Sequence, residues 1–178
     1  MSSSSGVVLR PSMAAGSNTI VVKVGPNGKE YNLHTGLLIH HSGYFRGALS
    51  GAFRETDAFD VFVDRAYQGT LREDLEYIRH SYRSGLATAC RAYVLADRLL
   101  APGLKSALID AYFDKDIHNL DRWYPSCRRV IHAYEHLAGN DPLLRLYVDL
   151  WAISNIVYKM DLYDKVLMPD LPQAFLVR

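Results

Sequence analysis

The sequence has few of the residues that mark a specialised class of protein. Only two of its 178 residues are cysteines, Cys90 and Cys127, and they form no C-x-x-C pair. This favours free thiols in a reducing compartment over a disulfide framework. No apolar run approaches about 18 residues, so we expect no membrane-spanning helix. The 20 Lys and Arg residues nearly balance the 19 Asp and Glu residues, and a net charge of +1 predicts no nucleic-acid partner.

The first 17 residues have the composition of a flexible leader. They are rich in serine and lack the apolar segment of a secretory signal peptide. Together with the cysteine usage, this predicts an intracellular protein, cytoplasmic or nuclear, without a membrane partner. The chain as a whole is 49% hydrophobic and 22% charged, which is typical of a globular domain. A chain of this length can bury a core without cross-links.

A β-hairpin is predicted at the start of the folded part. The segment TIVVKV (19–24) is rich in β-branched residues, and KEYNL (29–33) alternates polar and apolar residues. The intervening GPNG favours a turn, since proline presets one φ angle and Asn-Gly tolerates positive φ. From His34 the period becomes helical, with a short TGLLIHH helix and a second short helix capped by Ser42.

Helical spacing dominates the rest of the chain. Helices are predicted from Asp57 to near Gly69, from about Gly85 to Leu100, after Pro102, and over about 126–138 and 142–155. Asp141 is expected to cap the last of these. The tail from Ile156 contains two prolines and is predicted to be extended. The fold class is therefore α+β, with a small N-terminal sheet packed on a cluster of short α-helices.

Two histidine clusters are candidate metal sites, because histidine is the commonest metal ligand. His40 and His41 are adjacent, so on a helix they diverge by about 100° and cannot easily share one ion. His132 and His136 have the i, i+4 spacing of a metal pair, but the H-E-x-x-H order with its internal base is absent. A solvated helix face is the preferred interpretation of that pair, with a zinc site as the alternative.

Catalytic signatures are also lacking. The chain has no G-x-S-x-G elbow, and neither cysteine has a histidine at a recognisable spacing. The GPNGK segment does not satisfy the phosphate-loop pattern, and a strand follows it where a helix would be required. The sequence therefore predicts a non-enzymatic protein with no cofactor, no metal and no small-molecule substrate. A metal-dependent or hydrolytic enzyme is the contrasting hypothesis.

Although the chain has no catalytic motif, a series of its residues matches the sequence pattern of a known domain. The segment Val21–Glu55 resembles the N-terminal core of BTB/POZ domains, particularly the fungal type. Its matching residues are Tyr31, His34, Leu38, Ser42, Tyr44, Phe45, Ser50, Gly51, Phe53 and Glu55. Two later blocks resemble the following helices of the family, through Tyr67 and Gly69 and through Tyr93, Leu95, Ala96 and Asp97. The matching blocks occur in the family's order and together cover about 19–118.

The resemblance implies a leader over 1–17, a BTB/POZ domain over 18–118 and a C-terminal helical extension over 119–178. It also implies a protein-interaction module that forms homodimers, with a cullin scaffold of ubiquitin ligases as a partner of some members. The implied dimer interface comprises Ile20, Val22, Leu37, Leu38, Ile39, Tyr44 and Phe45. The implied partner surface comprises Asp64, Arg65, Tyr67 and Gln68, and the implied structural residues are His34, Ser42 and Asp97.

One physical argument agrees with an interface on the first helix. Leu37, Leu38 and Ile39 are consecutive, so a short helix would expose more apolar surface than one side can bury. The alternative within the same class is a monomeric BTB-like module that binds another protein through its C-terminal helices.

The chain also departs from the family pattern. Gly43 replaces the usual proline, and Asn18 stands where many members have an acidic residue. Arg65 and Ala66 replace a common Trp-Leu pair. The FRET segment runs directly into DAFDVF, where the family has about ten or more residues and a third strand. Relative to the family the chain is shortened between 55 and 57: either that strand is lost, or the sequence omits a segment there. This shortening affects the surface expected to face a cullin.

Overall fold

A computed structural model of the protein describes residues 16–47, 56–71, 88–117, 124–153, 160 and 162–177. Within these residues the chain is mostly helical, with one two-stranded antiparallel sheet. The strands are β1 (Thr19–Val24) and β2 (Lys29–His34). The α-helices are α1 (Thr35–His41), α2 (Gly43–Gly47), α3 (Thr56–Gln68), α4 (Thr88–Arg98), α5 (Pro102–Ile117), α6 (Cys127–His136), α7 (Pro142–Ile153), α8 (Leu162–Leu167) and α9 (Gln173–Leu176). The predicted α+β class is confirmed.

The predicted hairpin is confirmed with its four-residue GPNG turn. Val22 pairs with Tyr31 across the two strands, and both side chains are buried. The turn closes through a hydrogen bond from the Gly28 amide to the Gly25 carbonyl (3.1 Å). Both glycines have positive φ, at 61° and 80°, a conformation that side chains with a Cβ rarely adopt. The alternation of the strand leaves Val21 on the outer face.

The segment before β1 supports the start of α1. The Thr35 amide and hydroxyl both donate to the Asn18 carbonyl, at 2.8 and 2.7 Å. The Gly36 amide donates to the Ser17 hydroxyl at 3.2 Å. These bonds satisfy amide groups that have no partner inside a helix at its first turn. Ser17, at the end of the predicted leader, therefore helps to hold α1 in place.

A single hydrophobic core joins the sheet, the central helices and the C-terminal helices. Phe59 and Phe62 on α3 pack beside Tyr93 on α4, and all three are fully buried. Residues beyond 126 belong to the same core, including Val130, Ala133, Leu144 and Tyr147. The segment interpreted as a C-terminal extension is thus packed against the segment that resembles a BTB/POZ domain.

The prediction of an extended tail is wrong. Residues Leu162–Leu167 form α8, Met168–Asp170 form a 3-10 helix and Gln173–Leu176 form α9. Pro169 lies in the first turn of the 3-10 helix and Pro172 immediately precedes α9. Proline is tolerated at both places because an amide there needs no helical partner. The prolines therefore separate short helical turns and do not impose an extended chain.

Some sequence predictions fall on residues outside the described ranges. These are most of the predicted leader, the start of a helix near Gly85, the boundary between residues 118 and 119, and the matching residues Ser50, Gly51, Phe53 and Glu55. The described residues contain no third strand. Across the same ranges, no helix has both the length and the apolar character required to cross a membrane.

The thiol of Cys90 on α4 gives the fold a pH-dependent contribution. It is fully buried, and burial raises its pKa from 9.0 to about 11, an effect that a hydrogen bond with Tyr147 partly opposes. The unfolded state therefore ionises first as the pH rises from 9 to 11. We expect the free energy of unfolding to fall by about 2 to 3 kcal/mol over this range. Urea denaturation at several pH values measures it.

Cys90→Ala is the matched control for that experiment, because it keeps the helix and removes only the titrating group. Other groups with raised pKa values, such as the Tyr93 hydroxyl, also titrate late and stay in both proteins. The difference between the two curves therefore isolates the thiol. Identical pH dependence in the variant and the parent would contradict the assignment to Cys90.

Candidate interaction surface

The junction between α1 and α2 is held against the end of α4. The buried Ser42 hydroxyl donates to the Leu99 carbonyl (2.6 Å) and accepts a hydrogen bond from the Phe45 amide (3.2 Å). The Phe45 bond is the N-cap geometry expected of serine. The Gly43 amide also donates, to the Leu100 carbonyl at 3.0 Å. Ser42 and Gly43 thus fix where α2 begins relative to α4.

A glycine at position 43, where the BTB/POZ pattern has proline, is required by this contact. Proline has no amide hydrogen and could not make the bond to Leu100. A Cβ at position 43 would also lie 2.9 Å from the Leu100 Cβ, closer than side chains normally approach. Glycine satisfies both requirements.

Leu100 ends α4 in a strained conformation. Its φ is 50°, the only positive value for a non-glycine residue in the described chain. The Ala101 amide donates to the Ala96 carbonyl and the Leu100 amide to the Asp97 carbonyl, the pattern of a Schellman motif. Glycine or asparagine normally occupies this position because a Cβ costs about 1–2 kcal/mol there. Despite this cost, the Leu100 side chain is 63% exposed.

The residues expected at a dimer interface divide into three groups. Val22, Leu37, Leu38 and Phe45 are buried within the single chain; Ile20 and Tyr44 are half-buried; Ile39 is 37% exposed. The sequence therefore predicts more exposed apolar surface on α1 than the structure has. Most of that surface is buried because α1 packs against β2, α2 and α3. Leu37 and Leu38 have neighbours within the chain, and Ile39 alone of the three faces outward.

Two exposed apolar side chains flank the α1–α2 junction. Ile39 lies one turn before it, and Leu100 lies beside Gly43 at its start. We call this pair the junction surface. The sequence analysis did not identify Leu100, because nothing in its local pattern predicts a leucine in the position that glycine normally fills. Val21 on the outer face of β1 is a further exposed apolar residue that it did not identify.

The residues expected to form a partner surface lie on α3, in different environments. The Tyr67 hydroxyl hydrogen-bonds with the ring Nδ1 of His34 (3.0 Å) and accepts from the His34 amide (3.1 Å). This links the β2–α1 junction to the end of α3. Asp64 and Arg65 line a pocket of about 200 Å³, and Gln68 is exposed. Tyr67 thus bonds directly to His34 at the start of α1.

The carboxylates at the α3 pocket are engaged by neighbouring cations. Asp60 accepts from the Lys29 ammonium (2.9 Å) and from the Tyr31 hydroxyl (3.0 Å). Asp57 pairs with the Arg91 guanidinium and accepts from the Thr88 hydroxyl. The pocket therefore has acidic residues whose charge is largely balanced by the surrounding structure.

His40 and His41 are close but differ in environment. Their rings meet edge to face with centroids 4.8 Å apart. Burial lowers the pKa of His41, and the positive charges of His40 and Arg65 lower it further. A hydrogen bond with the backbone of Ala66 on α3 partly opposes this lowering of the pKa.

A buried polar network connects the central and C-terminal helices. Asp141 accepts from the Tyr93 hydroxyl (2.9 Å), the Leu143 amide (2.9 Å) and the Lys105 ammonium (2.7 Å). Lys105 also donates to Asp97 at 2.5 Å. The Leu143 bond is the helix cap that the sequence predicts for Asp141. Asp97, expected to be structural, lies at the solvent-facing side of this network.

The C-terminal helix α8 presents a second apolar surface. Leu162, Tyr163 and Val166 are 75–79% exposed. The opposite side of α8 is anchored, since buried Asp164 accepts from the Cys127 amide (2.8 Å) and the Tyr124 hydroxyl (3.0 Å). We call the three exposed residues the α8 surface. The sequence pattern does not indicate this surface, because the two prolines of the tail predict an extended chain.

One group among the described residues has the composition of a metal site. His132, Glu135 and His136 on α6 each offer a ligand atom, and these atoms lie within 4.8 Å of one another. His132 is half-buried, and the other two are exposed. His34, His40 and His41 are not part of that group.

No protein-family model matches the sequence, and a search of the curated proteins also finds no match.

Proposed function

We propose that the protein is a non-enzymatic interaction module of the BTB/POZ kind that self-associates as a homodimer and serves as an adaptor. The observation that carries the proposal is the junction surface. Ile39 and Leu100 are apolar and exposed, and both belong to otherwise well-packed elements. Apolar side chains at the centre of an interface gain from removal of water. The strain at Leu100 supports the same view, since costly backbone conformations are concentrated at functional positions.

Ile39→Asp is expected to weaken self-association while the chain stays folded. The side chain is exposed in the single chain, so a carboxylate there remains solvated in the monomer. In a dimer it would be desolvated without a partner, which costs at least about 1.4 kcal/mol, or tenfold in the dissociation constant. Size-exclusion chromatography with light scattering over micromolar concentrations measures the change. A parent protein that is monomeric throughout this range would contradict the dimer.

Two further variants make the experiment specific. Leu100→Gly removes an exposed apolar side chain and also relieves backbone strain, so it should weaken association while the free energy of unfolding rises by about 1 kcal/mol. Such a variant cannot act through misfolding. Val166→Asp places the same charge on the α8 surface and should leave the dimer unchanged. Equal weakening by Val166→Asp and Ile39→Asp would contradict an interface at the junction surface.

A second candidate function is supported by the α8 surface. Leu162, Tyr163 and Val166 offer more exposed apolar side chains than the junction surface does. A monomeric BTB-like module would bind another protein there. Under this alternative the parent protein is monomeric, and Val166→Asp, but not Ile39→Asp, removes a captured partner.

The adaptor role concerns the residues on α3. A cullin-type scaffold is the partner class that the family resemblance implies, with Asp64, Arg65, Tyr67 and Gln68 as the implied contacting residues. An affinity pull-down scored by mass spectrometry for cullins and for peptides of the chain itself tests both parts. Recovery of self-peptides without any cullin would support the dimer and contradict the cullin adaptor.

A further inference from the structure

The histidine pair on α6 forms a three-residue group with Glu135. His132 and His136 are four residues apart, and their ring centroids are 4.3 Å apart with planes tilted by 38°. Glu135 is three residues after His132, so all three side chains project from the same side of the helix. The resulting order is H-x-x-E-H, an arrangement in which the two histidines are known to serve as zinc ligands.

The distances suit a shared ion after small side-chain rotations. The three ligand atoms lie within 4.8 Å of one another. Nitrogen and oxygen ligands of one tetrahedral zinc ion, each about 2.1 Å from it, are about 3.4 Å apart. Glu135 is exposed and can rotate to close this difference, because no surrounding core restrains its side chain.

The ring of His136 is already oriented as a ligand. Its Nδ1 lies 2.9 Å from the His132 carbonyl oxygen. A carbonyl can only accept, so Nδ1 carries the proton and Nε2 has the free lone pair. Metal-binding histidines commonly use their second nitrogen in this way, since the bond fixes the tautomer and the ring orientation.

We propose that His132, Glu135 and His136 bind one divalent transition-metal ion of the zinc type. Two imidazoles and one carboxylate favour Zn²⁺ over Mg²⁺ or Ca²⁺, which prefer all-oxygen ligand sets. The fourth coordination position is left to water. By linking residues four apart, the ion stabilises the last turn of α6, which ends at His136. The proposal concerns binding and is independent of the proposed self-association.

Titration of the full chain with Zn²⁺ by isothermal calorimetry tests the site. We expect one ion per chain, with a dissociation constant in the micromolar range or below. His136→Ala should weaken binding at least about tenfold, since even outer-shell partners of metal ligands contribute that much. Glu135→Gln should weaken it by a smaller factor. Zn²⁺ should also raise the unfolding temperature of the parent but not of His136→Ala, because the ion binds the folded state.

His40→Ala is the matched control, since it removes an exposed histidine that also has a histidine ring beside it but belongs to no three-residue ligand group among the described residues. Its zinc affinity should stay within about twofold of the parent, in line with a site confined to α6. Circular dichroism checks that each variant is folded. The proposal is overturned if the parent binds no zinc at about 100 μM, or if His136→Ala binds as tightly as the parent. Equal losses from His40→Ala and His136→Ala would also overturn it.

Discussion

Leu38→Asp is expected to leave the chain unfolded at 25 °C. Leu38 is 2% exposed and lies among β2, α2 and α3 in the common core. Loss of a buried leucine side chain costs about 2–5 kcal/mol, and burial of an uncompensated carboxylate adds several more. The sum is comparable with the whole stability of a typical domain, about 5–15 kcal/mol. Circular dichroism and urea denaturation at pH 7 measure the loss of structure.

Ile39→Asp is the matched control, because it places the same charge on the next residue of the same helix. The Ile39 side chain is partly solvated, so this variant should lose less than about 1 kcal/mol. Leu38→Ala provides an intermediate case, destabilised by about 2–5 kcal/mol yet folded. A Leu38→Asp protein that unfolds with the parent's free energy would contradict the placement of Leu38 in the core.

Leu38 and Ile39 are adjacent, and the sequence alone does not show whether an apolar residue of this helix serves the core or an interface. Substitutions at the two positions distinguish these roles. The pattern TGLLIHH predicts an apolar helix but does not say which apolar residues have partners within the chain. In the structure β2, α2 and α3 pack against α1, and the Ile39 side chain faces solvent. Loss of association in a variant that unfolds, such as Leu38→Asp, is therefore not evidence for an interface. Loss of association in Ile39→Asp is such evidence, because that substitution leaves the core intact.

Elements defined by local chemistry could be predicted from the sequence. The GPNG turn forms because its residues tolerate the required φ angles, and Asp141 caps a helix because its side chain reaches the amide two residues later. Helix α3 likewise ends at Gln68, immediately before Gly69, which adopts a positive φ of 76°. In each case the deciding contact lies within a few residues, so periodicity and cap residues were sufficient.

Features that depend on distant contacts could not be predicted. The short helix α8 forms against α6, because Asp164 bonds to the Cys127 amide, 37 residues away in sequence. The contact that explains Gly43 comes from Leu100, and the exposed position of Leu100 depends on strain that sequence patterns do not record. Both candidate surfaces therefore depend on tertiary contacts. Ile39 alone among their residues belonged to the predicted interface.

Asp141→Ala is expected to destabilise the protein by about 3–5 kcal/mol. The Asp141 carboxylate is 5% exposed and bonds to Tyr93, Lys105 and Leu143. Its removal leaves the Tyr93 hydroxyl and the Leu143 amide without these bonds and leaves the Lys105 charge with a weaker partner. Breaking a buried ion pair from one side is costly for this reason. Urea denaturation at pH 7 measures the change.

Asp97→Ala is the matched control, because Asp97 binds the same ammonium but is 42% exposed. Water can replace an exposed carboxylate, so this variant should lose no more than about 1 kcal/mol of its free energy of unfolding.

Burial lowers the pKa of Lys105, but the bonds to Asp141 and Asp97 outweigh burial and hold it above 10.5. The stabilisation by Lys105 is therefore complete below pH 10.5 and is lost as the pH rises through the folded-state pKa. Asp141→Ala should reduce this alkaline loss more than Asp97→Ala does. Equal destabilisation by the two variants at pH 7 would show that burial does not set the strength of the network joining α4, α5 and α7.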